Sequence, residues 1–280
     1  MVFLTRKTGF SLGHRYYLPD LSPEENRRLF GLCALPHGHG HDYTLEVTFG
    51  GEVDPANGMV VNISDIKPLL EREVVQPLDG QFLTAEHPLM AGRIPCAETL
   101  ARWIWNRLED AAARDRIPAR LERVRLMEYR RLWADCFRGE NGPMVTLTRT
   151  YEFAAAHRLD SPHLSAAENR ELFGKCNNPN GHGHNYELEV TVGGEPDPRT
   201  GFLIDLGLLD RVVNEQVVDR YDHRHLNLDI EEFRELNPTS ENLVRVIWHR
   251  LQPALPPGAL RRVTVRETDR NIFTYEGKDA

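Results

Sequence analysis

Residues 181–192 read GHGHNYELEVTV, and residues 38–49 read GHGHDYTLEVTF. In the later stretch His182, His184, Tyr186, Leu188, Val190 and Val192 fall on one side. Asn185, Glu187, Glu189 and Thr191 fall on the other. That alternation predicts a β-strand. Histidines two residues apart diverge on a helix but project together from a strand. Gly181 and Gly183 leave room for close backbone approach.

The two stretches lie 143 residues apart, and the same offset recurs outward from them. EENRRLFG at 24–31 matches AENRELFG at 167–174. Phe10 goes to Phe153, His14 to His157, Asp54-Pro55 to Asp197-Pro198 and Glu98 to Glu241. A long period present only twice means one domain fused in tandem, not a solenoid. The polar stretch RGENGPM, 138–144, is the expected junction. The domains expected are therefore 1–143 and 144–280.

Each copy carries the same coarse pattern. In the second, 144–157 is rich in β-branched and aromatic residues and predicts a strand. Residues 165–175 predict a short helix and loop, and EPDPRTG a turn. A helix over 205–219 would align Leu206, Leu209, Val213 and Val217. Another over 240–251 would align Leu243, Val246, Ile247, Arg250 and Leu251, with Ser240 as its N-cap. RRVTVRET and NIFTYEG predict two closing strands. The order ββααββ makes an α+β fold, an antiparallel sheet with helices on one face. Such a small sheet has edges that invite pairing with other subunits.

Composition narrows the partners. The chain has 280 residues, 40% hydrophobic and 27% charged, within the globular range. Its net charge is −8, with 34 basic against 42 acidic residues, and neither half is basic. A nucleic-acid grip built on a broad positive face is disfavoured. Four scattered cysteines, Cys33, Cys96, Cys136 and Cys176, fit free thiols in a reducing compartment. The first residues lack a signal-peptide core, and nothing approaches 18 consecutive apolar residues. A soluble, cytoplasmic protein without nucleic-acid or membrane partners is expected.

The second copy gathers candidate chemistry. His157, at a strand end, can join His182 and His184 if the two strands pair antiparallel. Three imidazoles without an obvious fourth ligand describe a catalytic Zn2+ site with one open position; structural zinc sites are usually closed and contain Cys. The first copy offers His14, His39 and His41. Cys176 lies six residues before His182, where a metal would favour its thiolate. Asp222-His223 sets a carboxylate beside an imidazole. Glu267 shares a strand face with Val263 and Val265, where a carboxylate needs a partner. It would suit a guanidine-like amide edge or an arginine.

FGKCNNPNGHGHNY, GEPDPRTG, YDHRHLN, TSENL and VRETDRNI together resemble the 6-pyruvoyl-tetrahydropterin synthase family, across residues 148–277. The resemblance implies zinc on His157, His182 and His184, with Cys176, Asp222 and His223 as the catalytic set. It implies that Glu267 anchors the pterin, with Glu241 in the same pocket. The family's tunnelling fold (T-fold) closes three ββααββ units into a twelve-stranded barrel and stacks two barrels, with pockets between units. A homo-oligomer follows, and three fused chains, a homotrimer, would supply six units. The implied reaction is that of a carbon–oxygen lyase in tetrahydrobiopterin biosynthesis. 7,8-Dihydroneopterin triphosphate loses triphosphate while an internal redox shift makes a pyruvoyl side chain. Arg158 and Lys175 are candidates for the triphosphate.

A sister branch, 6-carboxytetrahydropterin synthase of the queuosine route, takes the same substrate and releases acetaldehyde. Its gap between Cys and HGH is typically shorter than Asn177–Gly181, which favours the pyruvoyl branch. A non-catalytic pterin-binding protein is a further alternative. The first copy keeps counterparts in His14, His39, His41, Cys33, Asp79, Glu98 and Glu128. However, LDGQFLT puts Gly80 where the catalytic His belongs, and CALPHG replaces CNNPNG and adds His37. His87 is too far along to substitute. The first copy is expected to be degenerate, holding zinc with little or no turnover.

Overall fold

The computed structural model describes residues 1–277. The expected second copy runs three residues further, outside the described part. The chain divides into two compact units. Unit 1 comprises Met1–Leu147 with Gly194–Leu203, and unit 2 comprises Thr148–Gly193 with the residues from Ile204 onward.

In unit 1, β1 (Val2–His14) pairs antiparallel with β2 (His39–Gly51). Their register sets His14 opposite His39 and Leu12 opposite His41. β3 (Phe82–Leu83) runs parallel to the end of β1. On the other side β2 pairs antiparallel with β4 (Arg120–Tyr129), and β4 with β5 (Leu132–Gly139). The helix Ala97–Arg114 packs on β4 and β5. It buries Leu100, Ile104, Trp105 and Leu108 against a strand face that includes Leu45, Val47, Phe49, Val124 and Leu126. Each such side chain contributes about 1.5–3 kcal/mol when taken out of water.

Unit 2 repeats this plan. The neighbours run β8 (Arg224–His225), β6 (Gly142–His157), β7 (His182–Gly193), β9 (Leu260–Thr268), β10 (Asn271–Tyr275). β6 spans the division between the units, which falls after Leu147. The helix Ser240–Leu251 packs on β9 and β10. The β1–β2, β2–β4, β4–β5, β7–β9 and β9–β10 ladders are antiparallel, whereas the short β3 and β8, which the strand patterns did not reveal, run parallel to β1 and β6. Among the described residues the strands of neither unit close into a barrel. Among the described residues no helix is long and apolar enough to cross a membrane.

Two expectations need correcting. The helix predicted over 205–219 is α-helical only over Leu206–Val213, with Asp205 as its N-cap. It continues as a π-helical turn over Asn214–Val218 and ends at Tyr221. The same bulge follows the matching helix of unit 1 at Glu71–Val75. The N-cap of the last helix is Thr239, whose hydroxyl accepts from the Asn242 amide at 3.4 Å. Ser240 is already helical, and its hydroxyl is used elsewhere, as described below.

Candidate active site

The loop after β6 is set by local chemistry. Ser165 and Glu168 form a capping box at the start of Ala166–Phe173. Buried Asn169 donates to the Ser161, Leu164 and Ser165 carbonyls. The helix stops at Gly174, φ 52°, and a 3-10 turn carries Cys176. The Cys176 carbonyl accepts from the Leu159 amide at 2.9 Å, tying the turn to the end of β6. Ser22, Glu25, Asn26, Gly31 and Cys33 repeat this arrangement in unit 1.

In unit 2 the three imidazoles meet. His157 is buried at the end of β6, with His182 and His184 at the start of β7. One nitrogen from each lies within 4.8 Å of the others. His157 Nδ1 lies 2.8 Å from the Pro238 carbonyl. A carbonyl only accepts, so Nδ1 carries the proton and Nε2 presents a lone pair. That Nε2 is 3.2 Å from His182 Nε2. His184 Nε2 is buried without a hydrogen-bond partner. Burial lowers the His157 and His182 pKa values, and neighbouring imidazoles add to it. Neutral, converging imidazoles with an orphaned buried nitrogen fit a metal ion.

Glu267 stands beside this cluster, its Oε1 3.9 Å from both His157 Nε2 and His184 Nε2. Ser240 Oγ donates to Oε1 at 2.7 Å and Asn271 Nδ2 to Oε2 at 3.2 Å. Burial works to raise its pKa. The two hydrogen bonds and the neighbouring His184 and His157 outweigh it and hold the carboxyl below its usual value. Pro238, Ser240 and Asn271 escaped the sequence reading, because a lone carbonyl or hydroxyl carries no motif.

The expected dyad forms. Asp222 Oδ2 lies 2.8 Å from His223 Nδ1, and Asp222 Oδ1 accepts from the Ala154 amide at 2.7 Å. The His223 amide donates back to the Ala154 carbonyl. His223 sits at φ 58°, rare for a side chain with a Cβ, and its ring is largely exposed. His184, His223 and His225 line one open cavity of about 630 Å³, with Gly183 and Asp229. Of the triad only His184, and of the dyad only His223, lines this cavity. Cys176 and Glu241 do not line it; Cys176 is half-buried in its turn, and Glu241 is exposed on the last helix. Arg158 pairs with Asp160 at 3.0 Å, and exposed Lys175 lies near enough to His182 to lower its pKa slightly. Gly181, φ 70°, is required: a Cβ there would lie 2.7 Å from the His157 carbonyl oxygen and 2.9 Å from His225 Nε2.

Unit 1 gathers His14, His39 and His41 in the same way, with His14 Nε2 3.1 Å from His39 Nε2. Burial, then His39 and His41, pushes the His14 pKa down to about 3. Glu128 Oε1 lies 3.3 Å from His41 Nε2. Asp79 repeats the Asp222 bond, accepting from the Ser11 amide at 2.8 Å. Gly80, φ 71°, follows where His223 follows Asp222, so the backbone is kept and the imidazole is missing. Burial pushes the Cys33 thiol up to about 11.

The family model for 6-pyruvoyl tetrahydropterin synthase matches this chain twice, over residues 3–139 and 146–278. The chain belongs to that family. Both copies are members, including the one without the imidazole. The human 6-pyruvoyl tetrahydrobiopterin synthase is 48% identical over 132 residues, 47% of this chain and 91% of the relative. A putative synthase of the same name from Caenorhabditis elegans is also 48% identical, over 136 residues, 48% of this chain and 96% of the relative. The solved structure of the Caenorhabditis elegans 6-pyruvoyl tetrahydropterin synthase is 47% identical, with a TM-score of 0.47, and covers 49% of this chain and 97% of its own. Each copy is thus a T-fold repeat of the family, in a chain about twice a relative's length.

Proposed function

We propose that the chain is a zinc-dependent 6-pyruvoyl-tetrahydropterin synthase, converting 7,8-dihydroneopterin triphosphate to 6-pyruvoyltetrahydropterin and triphosphate. Residues 144–280 form the catalytic domain, and residues 1–143 a degenerate one. The observation that carries this reading is the set found in unit 2, three converging imidazoles with Glu267 at their edge and a hydrogen-bonded Asp222–His223 pair whose imidazole unit 1 lacks.

Zinc on His157, His182 and His184 supplies Lewis-acid polarisation of side-chain oxygens, which acidifies the adjacent C–H bonds. The chain's own groups move the protons. Asp222 accepts from His223 Nδ1, so His223 Nε2 takes or returns a proton facing the cavity. Cys176, as the thiolate, takes another from the substrate side chain. Glu267 is preset as a carboxylate by Ser240 and Asn271, ready to receive donors of the pterin at the triad's edge; Glu241 contributes to the same pocket. The redox change is internal to the substrate, so no external oxidant or reductant is needed. The chain works as a homo-oligomer, a homotrimer by the repeat count, in the cytoplasm.

Incubation with 7,8-dihydroneopterin triphosphate, with products identified by mass, tests the reading. Triphosphate with 6-pyruvoyltetrahydropterin supports it. Acetaldehyde would assign the chain to the carboxy-forming branch, and a bound but unchanged pterin would make it a binding protein.

A further inference from the structure

The glutamates beside the two triads are held differently. In unit 2, Glu267 Oε1 stays 3.9 Å from both His157 Nε2 and His184 Nε2. Ser240 Oγ and Asn271 Nδ2 hold the carboxylate there, one on each oxygen. In unit 1 both donors are replaced. At the offset of 143, Ser240 is matched by Ala97. Asn271 is matched by Leu132, which pairs across its hairpin with Tyr129 as Asn271 does with Thr268. Ala97 and Leu132 are buried and apolar. Another group meets Glu128 instead. The buried Tyr43 hydroxyl hydrogen-bonds the Glu128 carboxylate and lies 3.2 Å from His14 Nδ1. A hydroxyl that donates to a carboxylate accepts from the imidazole, which leaves His14 Nε2 a lone pair. The matching hydroxyl of unit 2, on Tyr186, is buried without a hydrogen-bond partner.

Glu128 accordingly sits closer to its triad. Its Oε1 is 3.3 Å from His41 Nε2, yet that nitrogen makes no hydrogen bond. Two atoms bound to one tetrahedral zinc ion at about 2.0–2.1 Å lie about 3.3–3.4 Å apart. His14 Nε2 and His39 Nε2, 3.1 Å apart, are near that spacing as well. The 3.9 Å separations at Glu267 exceed it. Glu128 is also the more buried of the two, its side chain 6% exposed against 14%. A buried carboxylate is costly unless a cation offsets its charge. An ion on the three imidazoles would be that cation.

We propose that Glu128 is a fourth protein ligand of the metal ion on His14, His39 and His41. Unit 1 then holds a closed site with four protein ligands, while unit 2 keeps an open site with three. Two consequences follow for unit 1. Its ion has no position left for a substrate oxygen. The carboxylate that would receive pterin donors is committed to the ion. Restoring an imidazole at position 80 would change neither. The ion of unit 1 is structural, and Ala97 and Leu132 are the trace of that change in the sequence. The inference rests on metal binding by the triads, as proposed above, and not on the reaction.

The test reads coordination and needs no turnover. Cobalt(II) is loaded in place of zinc in the full-length chain, since its visible spectrum reports the ligand set, and azide probes for an open position. His157→Ala confines the ion to unit 1, and His14→Ala confines it to unit 2. Azide should shift the spectrum of His14→Ala and leave that of His157→Ala unchanged. Glu128→Gln, added to His157→Ala, should make unit 1 respond to azide. It should also speed loss of cobalt to a chelator at least about tenfold, an effect that even outer partners of a metal site can carry. Glu267→Gln, added to His14→Ala, should leave the loss rate of unit 2 within about twofold. An azide response in His157→Ala before Glu128 is changed overturns the inference, whether or not the Glu128 variant folds. So does a spectrum and loss rate that Glu128→Gln leaves unmoved. A chain that takes up no cobalt overturns the metal reading of both units, whereas an azide-sensitive unit 1 sinks this inference alone.

Discussion

The turn after Leu78 and the turn after Tyr221 have the same backbone and opposite prospects. Asp79 and Asp222 each take an amide from the strand beside them, and the next residue has φ near 60–70° in both. One turn offers an imidazole and the other a hydrogen atom. The comparison teaches that the scaffold of a proton relay persists without the relay, because it is held by the aspartate carboxylate and by the amide of the following residue, neither of which needs the imidazole. The histidine triads tell the complementary story. They persist in both copies, where strand register brings the three rings together around one buried histidine.

The sharpest way to break the comparison is to remove chemistry from one unit at a time. Cys176→Ala or His223→Gly should each lower turnover of dihydroneopterin triphosphate by about 10²–10⁴-fold, the usual weight of a positioned acid or base. Cys33→Ala should leave it within about twofold. Near-wild-type turnover by Cys176→Ala would move catalysis to unit 1.

Metal content comes next. Two triads predict about two zinc ions per chain by elemental analysis, with His157→Ala and His14→Ala each removing about one. One ion in the wild type would mean that the triads differ.

Gly80→His tests whether the imidazole is all that unit 1 lacks. Nothing lies within 4 Å of a Cβ built there. Unfolding should shift by only about 1–3 kcal/mol, the cost of a positive φ for a residue with a Cβ. In a Cys176→Ala background turnover should still stay below about 1% of wild type, because partial burial holds the Cys33 thiol up at about 11. Substantial recovery would show that the relay alone separates the units.

The smallest effect concerns stability. Buried Glu73 binds Arg72, Arg107 and Arg114, with Oε distances of 2.7–2.8 Å, and hydrogen bonds from Arg72 and Arg114 hold its pKa at about 2. The corresponding residue of unit 2 is Gln216. Since the folded pKa lies below the unfolded one, this stabilisation is full above about pH 4.5 and is lost as pH falls towards 2. Glu73→Gln should cost about 1–2 kcal/mol at pH 7, discounted for the partly exposed arginines, and almost nothing near pH 2. Denaturant melts at both pH values would show it.

Much of this was legible in the chain. The alternation of 182–192 placed two histidines on one face, and the offset supplied their counterparts. Asp222 and His223, adjacent in sequence, were found hydrogen-bonded. Other features left no trace. The π-helical turn after Val213 shares the helical period of its neighbours. Ser240 was read as a cap because it precedes an amphipathic run. One residue of slip gave that role to Thr239 and turned Ser240 towards Glu267. Such choices depend on which partner is closest in three dimensions.

By itself, the sequence determined the duplication, the strand that presents each His-x-His pair and the loss of the imidazole at position 80. These are matters of periodicity and residue identity. Only tertiary structure decided that Glu267 stands at the triad, that His157 offers Nε2 because Pro238 occupies Nδ1, and that Gly194–Leu203 folds within unit 1. Those outcomes rest on contacts between residues far apart in the chain, and local pattern carries no information about which distant groups will meet.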